Sequence, residues 1–233
     1  MLLTPEPHAM DNAVVNANTE SRRCDVAAVP HRALAWSLEG LPNVEMSAEA
    51  DMWWRRWEQG TAPPGLMLVG PSGIGKSGWL QVAAAKLARQ GLGSPGRWNL
   101  LSLPRTDGAT RGALEVPPVW YFRWADVSRR LLALPRWASD DDVLTYAGFM
   151  DTIAYWCTVL IADDVLPPAE RGRSEDLFSS LFYRVEDGRP TFLSTNVRPA
   201  KLAETFGERW VDRMHDPGYF YLVKIDTPSA RVG

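Results

Sequence analysis

Eight consecutive residues have the types and spacing of a loop that binds phosphate groups. Residues 70–77 read GPSGIGKS and match the pattern G-x-x-x-x-G-K-[ST]. In such a loop the glycines let backbone N–H groups turn inward around the phosphates, and the following helix adds its positive N-terminal end. We expect Lys76 to reach the β- and γ-phosphates of ATP and the Ser77 hydroxyl to hold Mg²⁺. The remaining members of the loop are Gly70, Pro71, Ser72, Gly73, Ile74 and Gly75.

A pair of carboxylates follows an apolar run later in the chain. Asp163 and Asp164 come directly after residues 159–162, which read VLIA and predict a buried strand. A phosphate loop needs a carboxylate on a neighbouring strand to complete the shell of its Mg²⁺ ion. We expect Asp163 to bind magnesium, directly or through water, and Asp164 to polarise the attacking water. Acidic residues also follow buried strands simply to start a loop, but the phosphate loop upstream favours the functional interpretation.

The elements that position these residues alternate along the chain. Apolar runs predict strands at 66–69, 119–122, 158–162, 191–195 and 219–225. Helical patterns lie at 47–58, 76–90, 126–134, after Asp142, at 175–185 and, as two short pieces, at 201–214. Strands that alternate with helices imply a mainly parallel sheet with helices on both faces, which is an α/β fold. We therefore predict an N-terminal extension that binds a partner at 1–44 and a single domain at 45–233.

Composition excludes several classes of protein. The 233 residues are 45% hydrophobic with a formal net charge of −3, so any contact with DNA must come from a local patch. The two cysteines and three histidines are scattered without the spacing of zinc ligands, and we expect free thiols. No apolar run approaches the roughly 18 residues that span a bilayer, and the first 20 residues do not resemble a secretory signal. We expect a cytoplasmic protein that does not bind membranes.

Four segments, in this order, resemble AAA+ ATPases of the initiator and helicase-loader clade. They are the phosphate loop, LIADD at 160–164, RPTFLSTN at 189–196 and GERWVDR at 207–213. Over residues 45–226 the chain resembles DnaC-type replicative helicase loaders and the related IstB-type transposition ATPases. The resemblance implies a P-loop AAA+ αβα sandwich without a C-terminal helical lid. The chain departs from the family pattern directly after the phosphate loop, where Gly78 and Trp79 follow Ser77.

The same resemblance implies roles for three further residues. Asn196 is at the position that contacts the γ-phosphate or holds the attacking water, although Asn is also common where a strand ends in a turn. Arg213 matches the arginine finger that reaches the nucleotide of a neighbouring subunit, so hydrolysis would depend on self-association. Arg209 lies one helical turn earlier and is either a second finger or a salt-bridge partner. Either arginine is alternatively an ordinary solvated charge on a helix.

Three functions are compatible with these residues. The first is an ATPase that assembles on itself and loads a DnaB-like hexameric helicase onto single-stranded DNA. The second is an IstB-like ATPase that regulates a DNA transposase. The third is a nucleotide-dependent adaptor with little turnover, whose main functional surface is the extension at 1–44.

Residues 95–136 are the candidate surface for single-stranded DNA. This segment has seven arginines against three acidic residues, interleaved with Trp, Tyr and Phe. Arginines pair with phosphates and aromatic rings stack on bases, and we expect contacts from Arg123, Arg129 and Arg130. The alternative, which stays open at this point, is a buried strand that carries the aromatic residues beside an ordinary solvated face.

A tryptophan cluster precedes the phosphate loop at Trp53, Trp54 and Trp57. Trp53 and Trp57 share a helical face, so they either contact a nucleotide base or pack an entry helix against the sheet. We favour packing, because aromatic clusters at helical spacing are common in protein cores.

Overall fold

Five short strands form the framework of the domain. The computed structural model describes residues 44–89, 119–133, 150, 153–154, 157–167 and 173–225. The strands are β1 (Gly65–Val69), β2 (Val119–Arg123), β3 (Val159–Asp163), β4 (Thr191–Thr195) and β5 (Phe220–Lys224). The helices are α1 (Val44–Glu58), α2 (Lys76–Arg89), α3 (Trp124–Ala133), α4 (Arg173–Glu186), α5 (Leu202–Phe206) and α6 (Glu208–His215), with a 3-10 helix at Pro199–Lys201. Each strand lies within two residues of its predicted position.

The strands make one sheet in the order β2-β3-β4-β1-β5, and every pairing is parallel. Every residue of the three central strands, β3, β4 and β1, is buried, whereas the edge strands β2 and β5 are partly exposed. The predicted parallel sheet is therefore confirmed. Because parallel strands all point the same way, their carboxyl ends meet at one edge of the sheet. This geometry brings together chain segments that are far apart in sequence.

Helices cover both faces of the sheet. On one face α1 and α2 pack against alternate strand residues, among them Leu66, Ile161 and Phe192. On the other face α3, α4, α5 and α6 pack against the intervening residues, such as Met67 and Leu160. Side chains along a strand point alternately to the two faces, so each apolar strand contributes to both cores. The predicted αβα sandwich is observed.

The tryptophan cluster belongs to the core. Trp53 and Trp54 are buried, and the ring centroids of Trp53 and Trp57 lie 4.9 and 5.4 Å from that of Phe192 on β4. These edge-to-face contacts attach α1 to the sheet. Trp79, where the sequence departs from the family pattern, is also buried and donates a hydrogen bond of 3.0 Å to Asp51 of α1. The packing interpretation of this cluster is confirmed.

A buried cation joins the starting ends of two strands. Arg184 on α4 is 1% exposed, and burial lowers the pKa of its guanidinium. Its five N–H groups have oxygen partners within 3.3 Å, which are the carbonyls of Ile153, Ala154, Cys157, Thr158 and Pro190 and the hydroxyl of Thr191. Thr158 precedes β3 and Thr191 begins β4, so Arg184 links the two strands at the end opposite to their carboxyl termini.

Some predictions differ from the structure in detail. The helix predicted at 126–134 begins at Trp124, because the chain passes from β2 into α3 without a loop and Trp124 packs its ring near Phe178. Outside the described residues lie the predicted extension at 1–44 except for Val44, residues 90–118, and most of the stretch after Asp142. No helix in the described ranges is both long and apolar enough to cross a membrane.

Cys157 is a free, buried thiol, and burial raises its pKa.

Candidate functional site

The predicted site residues converge at the carboxyl ends of three adjacent strands. The phosphate loop follows β1, Asp163 ends β3, and Asn196 follows β4. In sequence these segments are separated by more than thirty residues, but in the sheet β4 lies between β3 and β1. Strand order therefore places the loop, the carboxylates and the amide at one edge.

The phosphate loop turns tightly between β1 and α2. Gly73 and Gly75 have positive φ angles of 88° and 98°, which residues with a Cβ rarely adopt. Gly70 lies against the chain that follows β5, and a Cβ there would come within 2.3 Å of the Ile225 carbonyl oxygen. Backbone conformation at Gly73 and Gly75 and close packing at Gly70 thus favour glycine at both glycine positions of the pattern, 70 and 75, and also at 73.

Lys76 begins α2, and its side chain is buried under the loop. Its Nζ donates hydrogen bonds of 2.8 Å to the carbonyls of Gly70 and Pro71, and one of 2.9 Å to Oδ1 of Asn196. Burial lowers the pKa of Lys76 to about 8, and the carboxylates of Asp164 and Asp163 partly oppose that shift. A phosphate group at the loop would compensate for this loss of hydration, because it supplies negative charge and acceptor oxygens.

Asp163 is 3% exposed and accepts hydrogen bonds on both carboxylate oxygens. Oδ1 accepts from Ser77 Oγ at 3.0 Å and from Ser194 Oγ at 2.6 Å, and Oδ2 accepts from the Tyr121 hydroxyl at 2.9 Å. Tyr121 and Ser194 are not among the site residues predicted from the sequence. Their position on the face of the sheet that carries Asp163 follows from alternation along β2, β3 and β4, which was a usable signal.

The half-buried Asp164 and the exposed Asn196 form the more accessible part of the site. Asp164 has a left-handed backbone conformation with φ of 59°, and its N–H donates to Ser194 Oγ at 2.9 Å. The Asn196 amide nitrogen donates to Asp164 Oδ1. Asp163 and Asp164 thus face different partners. The buried carboxylate contacts the Ser77 hydroxyl, and the more exposed one contacts Asn196.

The donor set at the loop fits a magnesium ion. The Ser77 hydroxyl and the Asp163 carboxylate are adjacent oxygen ligands of the kind that Mg²⁺ prefers. Within the described ranges no group of three or more His, Cys, Asp and Glu side chains is placed to hold a metal. Mg²⁺ in nucleotide sites takes one or two protein ligands and completes its shell with water and phosphate oxygens, which agrees with this sparse set.

The two arginines of α6 contact residues of their own chain. Arg213 Nη1 lies 3.0 Å from Glu186 Oε1, and the guanidinium lies 5.5 Å from the Trp210 ring centroid. Arg209 is exposed and also lies over the Trp210 ring, at 5.4 Å. Neither contact joins α6 to the phosphate loop of the same chain. Of the two, Arg213 is the one that has an ion pair in the structure.

The candidate DNA surface is only partly described. Arg123 is exposed at the end of β2, and Arg129 is exposed on α3 with Nη2 3.9 Å from Asp126. The side chain of Arg130 and the whole segment at 95–118 lie outside the described residues. Of the two interpretations left open for the aromatic residues, burial applies to Tyr121, Phe122 and Trp124, because these side chains are packed in the two cores. Trp120 is half-buried.

Solved structures share this architecture. No protein-family model matches the chain, and no curated protein matches its sequence. DnaI superposes with a TM-score of 0.55 at 21% identity over 87% of this chain and 94% of its own. The DnaC helicase loader superposes with a TM-score of 0.55 at 20% identity, over 84% of this chain and 100% of its own. The replication initiator DnaA bound to AMPPCP and single-stranded DNA gives 0.56 at 16% identity over 86% and 52%, so this chain spans about half of it.

The chain has the AAA+ P-loop fold. The resemblance seen in its motifs and the similarity of its backbone therefore agree on one fold. Within the AAA+ fold, the five-stranded sheet places the residues predicted from the motifs at a single edge.

Proposed function

We propose that this protein is an AAA+ ATPase that loads a DnaB-like hexameric helicase onto single-stranded DNA. One observation carries the nucleotide part of the proposal. Lys76, Ser77, Asp163, Asp164 and Asn196 come from three separate segments and form one connected set of hydrogen bonds at the end of the phosphate loop. A simple glycine-rich turn would not require that arrangement.

Each member of this set has a distinct role in the proposal. Lys76 contacts the β- and γ-phosphates and exchanges its loop carbonyls for phosphate oxygens. Ser77 and Asp163 hold Mg²⁺, which neutralises charge that develops on the phosphates during transfer. Asp164 accepts a proton from, or orients, the attacking water, and Asn196 positions that water beside the γ-phosphate.

Turnover in this proposal depends on assembly. Arg213 reaches the nucleotide of a neighbouring subunit, where a finger arginine supplied in trans is worth about 10³–10⁵ in rate. In one subunit Arg213 is paired with Glu186, so assembly would exchange that carboxylate for the γ-phosphate of the neighbour. An isolated subunit would bind ATP but hydrolyse it slowly. Arg209 remains the second candidate on the same helix.

The helicase and DNA parts rest on similarity. The DnaC helicase loader and DnaI match nearly along their whole length, and the DnaA structure contains both AMPPCP and single-stranded DNA. In this chain, Arg123 and Arg129 are exposed and available to phosphates. We assign helicase binding to residues 1–44, which precede the ATPase domain at 45–233.

The nucleotide site is tested by titrating a fluorescent ATP analogue into the wild type and into Lys76→Ala. The variant should lose most of its affinity, because among the described residues Lys76 is the lysine whose side chain is buried at the loop. Lys86→Ala is the matched control, since Lys86 is on the same helix but pairs with Glu58 at 3.1 Å. Retained affinity in Lys76→Ala would show that the phosphate loop is misassigned. Asp164→Asn should bind the analogue and fail in turnover.

The helicase part is tested by affinity capture with the full-length chain and with a chain that lacks residues 1–44. We expect a purified replicative helicase to be retained by the full-length chain, to be released from the truncated one, and to be deposited on circular single-stranded DNA when ATP is present. If the full-length chain instead retains a purified transposase and no helicase, the protein is an IstB-like regulator of transposition. Capture without measurable turnover in the assembled protein would establish the adaptor function.

A further inference from the structure

Tyr121 connects the phosphate-loop helix to the predicted magnesium ligand. It lies on β2, is 3% exposed, and donates a hydrogen bond of 2.9 Å to Oδ2 of Asp163 on the adjacent strand. Gln81 of α2 contacts the same hydroxyl, with its Nε2 3.0 Å from the phenol oxygen. The described contacts thus run from a helix through an edge strand to the central carboxylate.

The direction of these hydrogen bonds follows from the chemistry of the groups. An ionised carboxylate only accepts, so the single proton of the Tyr121 hydroxyl points to Asp163. The phenol oxygen then accepts from the Gln81 amide, whose N–H groups can only donate. Gln81 therefore donates to Tyr121, and Tyr121 donates to Asp163. The chemistry of the three groups allows only this direction.

One face of α2 contacts both carboxylate oxygens of Asp163, one of them directly and the other through Tyr121. Ser77 and Gln81 are four residues apart and so lie above one another on the helix. Ser77 contacts Oδ1 directly, beside the Ser194 hydroxyl of β4 at 2.6 Å, and Gln81 contacts Oδ2 through Tyr121. The carboxylate is consequently held from two sides, and its Oδ2 oxygen is engaged by the phenol.

We infer that Tyr121 is a positioning residue that makes Asp163 present a single oxygen to the metal and thereby selects Mg²⁺ over Ca²⁺. This inference rests on the proposed nucleotide site. Mg²⁺ requires near-ideal octahedral geometry with short bonds, whereas Ca²⁺ accepts more ligands and bidentate carboxylates. With Oδ2 bound to the phenol, Asp163 offers only Oδ1 at the Ser77 side. Without the phenol, the carboxylate can turn and offer both oxygens.

The test is the dependence of nucleotide binding on the divalent cation, measured without hydrolysis. A fluorescent, non-hydrolysable ATP analogue is titrated at increasing Mg²⁺ or Ca²⁺ into the full-length wild type, Tyr121→Phe and Tyr221→Phe. Tyr221 is the matched control because it lies on β5, at the opposite edge of the sheet. We expect Tyr121→Phe to need about ten-fold more Mg²⁺, as is typical when a group that orients a metal ligand is removed.

The Ca²⁺ concentration needed for analogue binding should change much less in Tyr121→Phe. The preference for Mg²⁺ over Ca²⁺ should therefore fall by about the same ten-fold. A general loss of structure would instead weaken binding of the analogue equally with Mg²⁺, with Ca²⁺ and without a divalent cation. Gln81→Leu provides a second route, because it keeps the phenol but removes the donor that orients it. Gln81 Oε1 is buried without a hydrogen-bond partner among the described atoms, so leucine should be accommodated. It should shift the preference in the same direction by a smaller factor.

The outcomes separate this inference from the proposed function. If the wild type shows binding that depends on Mg²⁺ and Tyr121→Phe has the same cation preference, the positioning role is wrong and the nucleotide site stands. If the wild type binds no analogue with either cation, the proposed function fails and the inference fails with it.

Discussion

The Lys76 amine and the Asn196 side-chain oxygen lie 2.9 Å apart although 120 positions separate them in the chain. The nitrogen of the same Asn196 amide donates to Asp164. A neutral amide can accept from a cation and donate to an anion at the same time, which neither a carboxylate nor an ammonium group can do. Asn196 therefore connects the group that we expect at the phosphates with the group that we expect at the attacking water.

The first prediction concerns this amide. Asn196→Ala should lower turnover of the assembled protein by about 10²-fold, the order expected when one positioned donor is lost from a reacting centre. Asn196→Asp should be at least as slow, because it places a second carboxylate against Asp164. Steady-state phosphate release measures turnover, and titration of an ATP analogue measures affinity.

Asn196 is exposed, so its replacement by alanine should change the free energy of unfolding by less than about 0.5 kcal/mol. Turnover within two-fold of the wild type would remove Asn196 from the reaction.

The second prediction concerns Arg213 and assembly. Arg213→Ala should bind nucleotide normally and lose at least about 10³-fold in turnover, whereas Lys76→Ala should lose binding. Mixed in equal amounts, the two inactive variants should recover part of the wild-type rate. The recovery is expected because Lys76→Ala supplies an intact arginine to the intact loop of Arg213→Ala. Phosphate release by the mixture is the measurement.

Arg209→Ala in the same mixture assigns the second arginine of α6. If Arg209 is the finger, the mixture of Arg209→Ala with Lys76→Ala will be the one that recovers ATP turnover, and Arg213→Ala will be active by itself. A mixture that stays inactive with both variants would exclude an arginine of α6 acting in trans. Arg198→Ala is the surface control, because Arg198 is an exposed arginine outside α6.

The third prediction concerns DNA. Arg123→Ala and Arg129→Ala should each weaken binding to single-stranded DNA several-fold at low salt, and each should reduce the salt slope by roughly 0.7. Arg55→Ala is the matched control, since Arg55 is an exposed arginine on α1. Fluorescence anisotropy of a labelled oligonucleotide at several salt concentrations gives both quantities. Equal effects in all three variants would indicate attraction by overall charge and no site on β2 and α3.

The fourth prediction concerns the buried arginine of α4. Arg184→Ala should lower the free energy of unfolding by roughly 3–5 kcal/mol, because it leaves several buried carbonyls without donors and opens a cavity. Arg184→Lys should recover only part of this loss, since an ammonium group has three donors where the guanidinium has five. Urea denaturation gives the values. A loss below about 1 kcal/mol for the alanine variant would show that water replaces the guanidinium.

Much of this fold was predictable because its signals are local. The apolar run at 159–162 is short and unbroken, as expected of a strand buried on both faces, and residues 191–195 combine the apolar Phe and Leu with β-branched Thr, which favours strands. Both strands lie inside the sheet. The glycine spacing of residues 70–77 marks a turn whose φ angles few other residues allow. The helix boundaries were less certain, and α3 starts at Trp124 because tertiary packing gives that ring a buried position.

The aromatic residues of 119–124 show where local information was insufficient. A run of aromatic residues beside arginines has the same composition in a buried strand as on a surface that stacks bases. The structure places Tyr121 and Phe122 on opposite faces of β2, where both are buried. Burial depends on which elements cover the strand, and that is a property of the whole chain.

Local patterns in the sequence predicted the phosphate-loop motif, the two carboxylates and the parallel α/β class, because each depends on neighbouring residues or on a period of two or 3.6. Strand order had to come from the folded chain, which places β4 between β1 and β3 so that Asn196 meets both Lys76 and Asp164. The tertiary structure also decided that Tyr121 and Gln81 hold Asp163. Such contacts depend on strand order and on the face to which each side chain points, and residues 32 or more positions apart carry no local record of either.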